Sequence, residues 1–123
     1  MNNQIQPYKV TTYENFKKCS VKGDGLEGHE LWQHANLNEN GYATTRLFTE
    51  ASKKNVVVAL PHDVHVDVNR AQSVLEPRNQ SPLQNIKSNA QILYNHEKIP
   101  NSVVDEAYSG AIEHYKNVKK GKK

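Results

Sequence analysis

Cysteine is nearly missing from this chain, and long apolar runs are missing altogether. The single cysteine among 123 residues, Cys19, excludes an internal disulfide framework, a cysteine-rich zinc site and the paired-cysteine pattern of zinc deaminases. No apolar run approaches the roughly 20 residues that cross a bilayer, and no secretory signal is recognisable. We therefore expect a soluble chain without a membrane-spanning segment, in which Cys19 is a buried or half-buried small residue.

A strongly basic body is also missing. The net charge is +3, but five of the 16 Lys and Arg side chains lie in the last eight residues. The remainder has 11 basic and 13 acidic side chains, a net charge of −2. Nucleic-acid binding, if present, would then need local basic patches and a cation. We expect one domain over residues 1–115 and a Lys-rich, disordered tail over residues 116–123.

Helical patterns dominate the C-terminal half. The β-branched run NVVVAL predicts a strand or a buried extended segment. Pro61 then opens a helix that Pro77 ends. The apolar positions at helical spacing in this helix are Val64, Val68, Ala71 and Leu75. Ser81 caps a second helix that runs to Tyr94, and an apolar stripe over residues 103–115 predicts a third.

The N-terminal half is irregular and contains most of the histidine. Three Gly and one Asp predict a loop over residues 22–28, followed by a helix or a bent strand-to-helix turn at HELWQHANL. His29 and His34 are five residues apart, about 140° around a helix, so they do not form the i, i+4 pair of a zinc protease. These patterns predict a mostly helical α+β fold, in which a small hairpin-like part packs against the helix from Pro61.

Three segments contain the residues that could carry chemistry. Residues 27–30, Glu-Gly-His-Glu, follow the glycine-rich loop, and Asn55 precedes the apolar run. His62 and His65 lie one helical turn apart, with Asn69 on the same face of the helix. A histidine or acid, then an asparagine, then a histidine on a helix is the residue order of HNH or ββα-metal nucleases.

Phosphodiester hydrolysis requires these residue types. A histidine can act as the general base on water, and a divalent ion can stabilise the charge on phosphorus and on the leaving oxygen. An asparagine can orient the base, while a helical histidine, with an acid or a second histidine, holds the ion. We predict His29, Glu30 and Asn55 as catalytic residues, and His62, His65 and Glu30 as metal ligands.

The segments EGHELWQHANL and SKKNVVVALPHDVHVDVNRAQ resemble the C-terminal toxin modules of bacterial polymorphic toxins. The resemblance is to the HNH/endonuclease VII-like nucleases found in Rhs-type and contact-dependent inhibition proteins, and it extends from Leu26 onward. The matching positions are Gly28, His29, Glu30, Leu31, Gln33, Asn55, Ala59, Leu60, His65 and Gln72.

The resemblance implies an HNH/ββα-metal-like core with additional C-terminal helices and one divalent ion, Zn²⁺, Mg²⁺, Mn²⁺ or Ni²⁺. It implies an endonuclease, most simply a DNase, exported as part of a larger toxin and active in the cytoplasm of the target cell. His29 would be the general base or a metal ligand, since Glu30 replaces the histidine of the commoner motif. A cognate immunity protein is the expected partner.

Two other functions remain open at this stage. One is a metal-independent RNase or tRNase toxin, which would use histidine and lysine as acid and base and would ignore chelators. The other is a non-enzymatic nucleic-acid-binding module, whose affinity would depend on salt. The expected nucleic-acid contacts are Lys53, Lys54 and Arg70, whereas His34, His96 and His114 are expected to be structural or solvated.

Overall fold

The fold is built around one fully buried strand. In the computed structural model, which describes residues 5–20, 23–42 and 49–121, the chain is α+β and 59% helical with one three-stranded antiparallel sheet. The strands are β1 (Val10–Thr12), β2 (Leu26–Glu30) and β3 (Val56–Pro61). The helices are α1 (Tyr13–Cys19), α2 (His34–Glu39), α3 (Glu50–Lys53), α4 (His62–Gln72), α5 (Pro82–Tyr94) and α6 (Asn101–Gly121), with a 3₁₀ turn at Pro77–Asn79.

Strand β3 lies in the centre of the sheet, in the order β1-β3-β2. Both of its faces are covered, which explains why its sequence is continuously apolar instead of alternating. Val57 and Ala59 pack against Phe16 of α1 on one face. Val58 and Leu60 belong to the larger core that the C-terminal helices form on the other face.

The three C-terminal helices bury most of the apolar residues that their sequences place on a stripe. The buried members are Val64, Val68, Ile86, Ala90, Leu93, Val104, Ala107 and Ala111. Helix α5 begins as predicted, because Ser81 and Gln84 form a reciprocal capping box. Trp32 is also fully buried, and Cys19 is half-buried, within the range expected for it.

Several predicted boundaries are wrong. Pro61 is the last residue of β3 and the N-cap of α4, and α4 ends at Gln72, before Leu75. Ala71, predicted on the apolar stripe, is exposed. Helix α6 continues to Gly121, so residues 116–121, predicted as a disordered tail, are helical, and residues 122–123 lie outside the described ranges. None of the described helices is long and apolar enough to cross a membrane.

Candidate active site

A cleft of about 300 Å³ opens between β2, the start of α2 and α4. Its lining is polar and rich in imidazole; it includes His29, Glu30, Gln33, His34, His65 and Gln72. The structure therefore brings together residues from two distant segments, one near position 30 and the other in α4. His34, which was expected to be structural or solvated, is part of this cleft.

The two faces of β2 lie toward different helices. Side chains alternate along a strand, so Glu27 and His29 share the face toward α4, and Gly28 lies on the other. A Cβ on Gly28 would lie 3.0 Å from the ring of Phe16, so glycine lets α1 pack closely. The register that pairs His29 with Val58 and Glu27 with Leu60 brings both polar side chains beside the first turn of α4.

His29 is buried without a hydrogen-bond partner on one ring nitrogen. It is 3% exposed, and its Nε2 has no partner among the described residues. The ring lies edge-on to His65, with 5.6 Å between the ring centroids. Burial, and then the charge of His65, lowers the pKa of His29 to about 3. The imidazole is therefore neutral throughout the physiological range, the state in which it binds metal ions.

Glu27 holds two histidines of α4. Its Oε2 lies 2.6 Å from Nδ1 of His62, and its Oε1 is hydrogen-bonded to Nδ1 of His65. The hydrogen bonds to His62 and His65 lower the pKa of Glu27, and the same contact raises the pKa of His62. The two histidines differ in exposure: the side chain of His65 is 15% exposed and that of His62 is 67% exposed. His65 is thus the inner histidine and His62 the outer one.

Asn55 orients Glu30, not His29. Asn55 is fully buried, and its Nδ2 donates to Oε2 of Glu30 at 3.1 Å and to the carbonyl of Trp32 at 2.8 Å. Its Oδ1 accepts from the backbone N–H of Val56 at 3.1 Å. Since that backbone group can only donate, the orientation of the Asn55 amide is fixed, and its two N–H bonds point to the oxygens.

The predicted metal-ligand set is only partly assembled. Within the described ranges, no three His, Cys, Asp or Glu side chains are grouped so that they could hold one ion. His62 and His65 both contact Glu27, and Glu30 is not grouped with them. The histidines that the structure does bring together are His29 and His65.

The three predicted nucleic-acid contacts lie in different surroundings. Lys53 borders a groove of about 330 Å³ beside α1, whose other lining residues include Lys17 and Lys18. Lys54 forms an ion pair with Glu14 at 2.7 Å, and Arg70 is exposed on α4. None of the described residues that line the histidine cleft is Lys or Arg.

Two contributions to this site were missed from the sequence. Glu27 was grouped with His29 but given no role, although residues two apart on a strand share a face. That alternation was the available signal. Gln33 and Gln72 were noted only as matching positions, and their hydrogen bonds to distant amides left no local pattern to read. Comparisons with family models, curated proteins and solved structures found no match for this chain.

Proposed function

We propose that this protein is a metal-dependent endonuclease toxin of the HNH/endonuclease VII-like type, with DNA as the substrate. One observation carries the proposal: a buried, neutral His29 with an unpartnered Nε2 faces His65, whose Nδ1 is bound by a carboxylate. Two neighbouring imidazoles that both line a polar cleft, one of them hydrogen-bonded to Glu27, suit a divalent ion. The proposal includes an origin in a larger toxin, action in the cytoplasm of a target cell and a cognate immunity protein.

The residues fit a metal ion by their chemistry. Metal-binding histidines almost always give their second ring nitrogen to a carboxylate or carbonyl, as His65 gives its Nδ1 to Glu27. The other nitrogen of His65 makes no hydrogen bond to a described residue, so His65 and His29 would hold the ion. A bound divalent ion supplies Lewis-acid stabilisation of charge on the phosphate. Because no Lys or Arg is among the described residues that line the cleft, that stabilisation has few other sources within them.

Glu30 is the better choice of general base. A general base must lie within hydrogen-bond reach of the attacking water and be held in place there. Glu30 lines the cleft, and the buried amide of Asn55 fixes one of its oxygens. In this assignment Glu30 accepts the proton of the attacking water, and Asn55 is a positioning residue. Of the two roles expected for His29, base or ligand, we propose the ligand.

The chain order of the site supports the HNH assignment. Strand β2 brings His29, antiparallel β3 pairs with it, and α4 follows β3 directly with His65 in its first turns. This β-β-α order, with the ligands on the first strand and the helix, is the arrangement expected of a ββα-metal core. On this proposal, helices α5 and α6 would be the additional C-terminal helices.

The cleft gives less support to a metal-independent RNase. Such an enzyme needs a protonated group to donate to the leaving oxygen, and His29 stays neutral because of its burial. The lysine that this mechanism would use as its partner is also missing from the described lining of the cleft.

The test compares wild type with His65→Ala on supercoiled plasmid and on total tRNA. Each substrate is incubated with Mg²⁺, Mn²⁺, Zn²⁺ or EDTA. We expect wild type to cut plasmid only with a metal, and His65→Ala to leave it intact. Cleavage of tRNA alone, unaffected by EDTA, would replace this proposal with the RNase, and salt-dependent binding without cleavage would favour the binding module.

A further inference from the structure

Gln33 connects the cleft to a set of buried side-chain amides. It lines the cleft just before α2, and its Oε1 accepts from Nδ2 of Asn85 at 2.8 Å and from Nδ2 of Asn89 at 3.1 Å. Asn85 and Asn89 are both fully buried on α5. These contacts join residues more than fifty positions apart, so they are a feature of the fold and not of a local turn.

Two backbone groups determine which way the Gln33 amide points. The backbone N–H of Gln33 donates to Oδ1 of Asn85 at 2.8 Å, which fixes the Asn85 amide because an N–H cannot accept. Nδ2 of Asn85 then donates to Oε1 of Gln33 and to Oε1 of Gln80, which uses both of its N–H bonds. The carbonyl of Asn85 accepts from Nδ2 of Asn89, so the Asn89 amide is fixed independently.

The –NH₂ group of Gln33 takes no part in these hydrogen bonds. Asn85 and Asn89 both donate to Oε1 of Gln33. If the Gln33 amide were turned around, its –NH₂ group would face these two –NH₂ groups, and none of the three could accept. Within the described part of the chain, Nε2 of Gln33 makes no hydrogen bond, and it is not among the enclosed atoms without a partner. It therefore reaches solvent on the side of Gln33 that lines the cleft.

A fixed donor has a clear use in this cleft. The described residues that line the cleft include Glu30 but no Lys or Arg, so none of them offers a phosphodiester a side-chain cation. A neutral N–H donor that is already oriented stabilises a phosphate oxygen without any reorganisation. We propose that the Gln33 –NH₂ group donates a hydrogen bond to a non-bridging oxygen of the bound phosphodiester. This inference rests on the proposed nuclease function and adds a substrate-binding residue to it.

The most specific variant is Gln33→Glu, which keeps the shape of the side chain and replaces only its donating –NH₂ group with an accepting carboxylate oxygen. One carboxylate oxygen can still accept from Asn85 and Asn89, so the fold should survive, whereas the other oxygen repels phosphate. Gln91→Glu is the control, because it adds the same charge at an exposed position of α5. We expect kcat/KM on plasmid to fall about 100-fold in Gln33→Glu, the effect of losing one oriented donor, and to stay near wild type in Gln91→Glu.

A second measurement observes the group directly. The side-chain –NH₂ signal of Gln33 in ¹H–¹⁵N spectra is identified by its loss in Gln33→Glu, and a short DNA duplex is then added in EDTA. A shift of this signal, larger than that of Gln91, supports the proposal. Equal activity of the two variants, or a Gln33 signal that DNA leaves unmoved, overturns it. If wild type cuts no substrate, the nuclease proposal fails alone, and the DNA titration still decides whether Gln33 binds phosphate.

Discussion

The two faces of the small sheet are built from the same strands but differ in almost every other respect. Toward α1, Phe16 packs on Val57, Ala59 and the bare backbone of Gly28, and this face is closed and apolar. Toward α4, the next residue of the same strand is His29, buried with an unpartnered nitrogen. Burying a polar nitrogen without a hydrogen bond lowers the stability of the fold. The face toward α4 therefore includes a destabilising group, whereas the contacts toward α1 are apolar. The contrast indicates that the face toward α1 stabilises the fold, whereas the face toward α4 presents His29 to the cleft.

The largest effect on cleavage is expected from substituting His29 and His65, the two proposed metal ligands. We expect His29→Ala and His65→Ala each to reduce plasmid cleavage about 1000-fold or more, since each removes both a ligand and the charge stabilisation that it supports. Both variants should remain folded by circular dichroism. His62→Ala is the matched control on the same helix, and because its side chain is 67% exposed we expect a much smaller loss. If His62→Ala and His65→Ala lost cleavage activity equally, the two histidines would not differ in role as proposed.

On the opposite face, truncating the main apolar contact should affect stability and not chemistry. Phe16 is 8% exposed, and Phe16→Ala should lower the free energy of unfolding by about 3–5 kcal/mol in urea titrations. Gly28→Ala, which sets a Cβ against the same ring, should cost about 1–3 kcal/mol. Activity per folded molecule should be retained in Phe16→Ala, and a selective loss of cleavage would contradict the division between the faces.

Glu27 tests whether the orientation of His65 matters. Glu27→Gln keeps the size of the side chain but removes the negative charge that both histidines contact. We expect metal affinity and cleavage to fall about 10- to 100-fold, the usual effect of losing the carboxylate behind a ligating histidine. Glu14→Gln is the matched control, because it removes the charge of a surface ion pair beside α1. Comparable losses in both variants would mean that net charge, not orientation, is responsible.

A further effect, which appears only in acid, is a pH dependence of stability that comes from the buried ring of His29. The pKa of His29 is about 3 in the folded protein and 6.5 when unperturbed, so between these values the unfolded chain binds a proton that the folded chain does not. The stability associated with neutral His29 is therefore complete above pH 6.5 and lost as the pH falls toward 3. With EDTA present, melting temperatures of wild type should drop more steeply over this window than those of His29→Gln. Parallel curves would show that His29 takes up its proton normally when folded.

The sequence predicted the parts of this molecule that depend on local rules. Helix α5 was predictable because Ser81 caps it and its apolar residues repeat at helical spacing. Helix α1 was not, because its seven residues bury only Phe16 and leave no stripe. The mostly helical α+β class is confirmed, and the HNH core remains a proposal.

The site was predictable in its residues more than in its contacts. His29, Asn55 and His65 were singled out from their type and order, and the structure brings His29 and His65 together. The partner of Asn55 and the role of Glu27 depend on the register of β2 against β3, which joins segments about thirty positions apart. Nothing in either local segment specifies that register.

The most direct test of the account is to observe the histidine nitrogens while Zn²⁺ is added. Long-range ¹H–¹⁵N spectra of the imidazoles report each ring nitrogen separately, and the signals can be assigned with single His→Ala variants. We predict that the signals of Nε2 of His29 and Nε2 of His65 change together at one equivalent of metal, while those of His62 and His96 keep their positions. Zn²⁺ that leaves His29 and His65 unchanged, or that moves His62 in their place, would contradict the proposed metal centre.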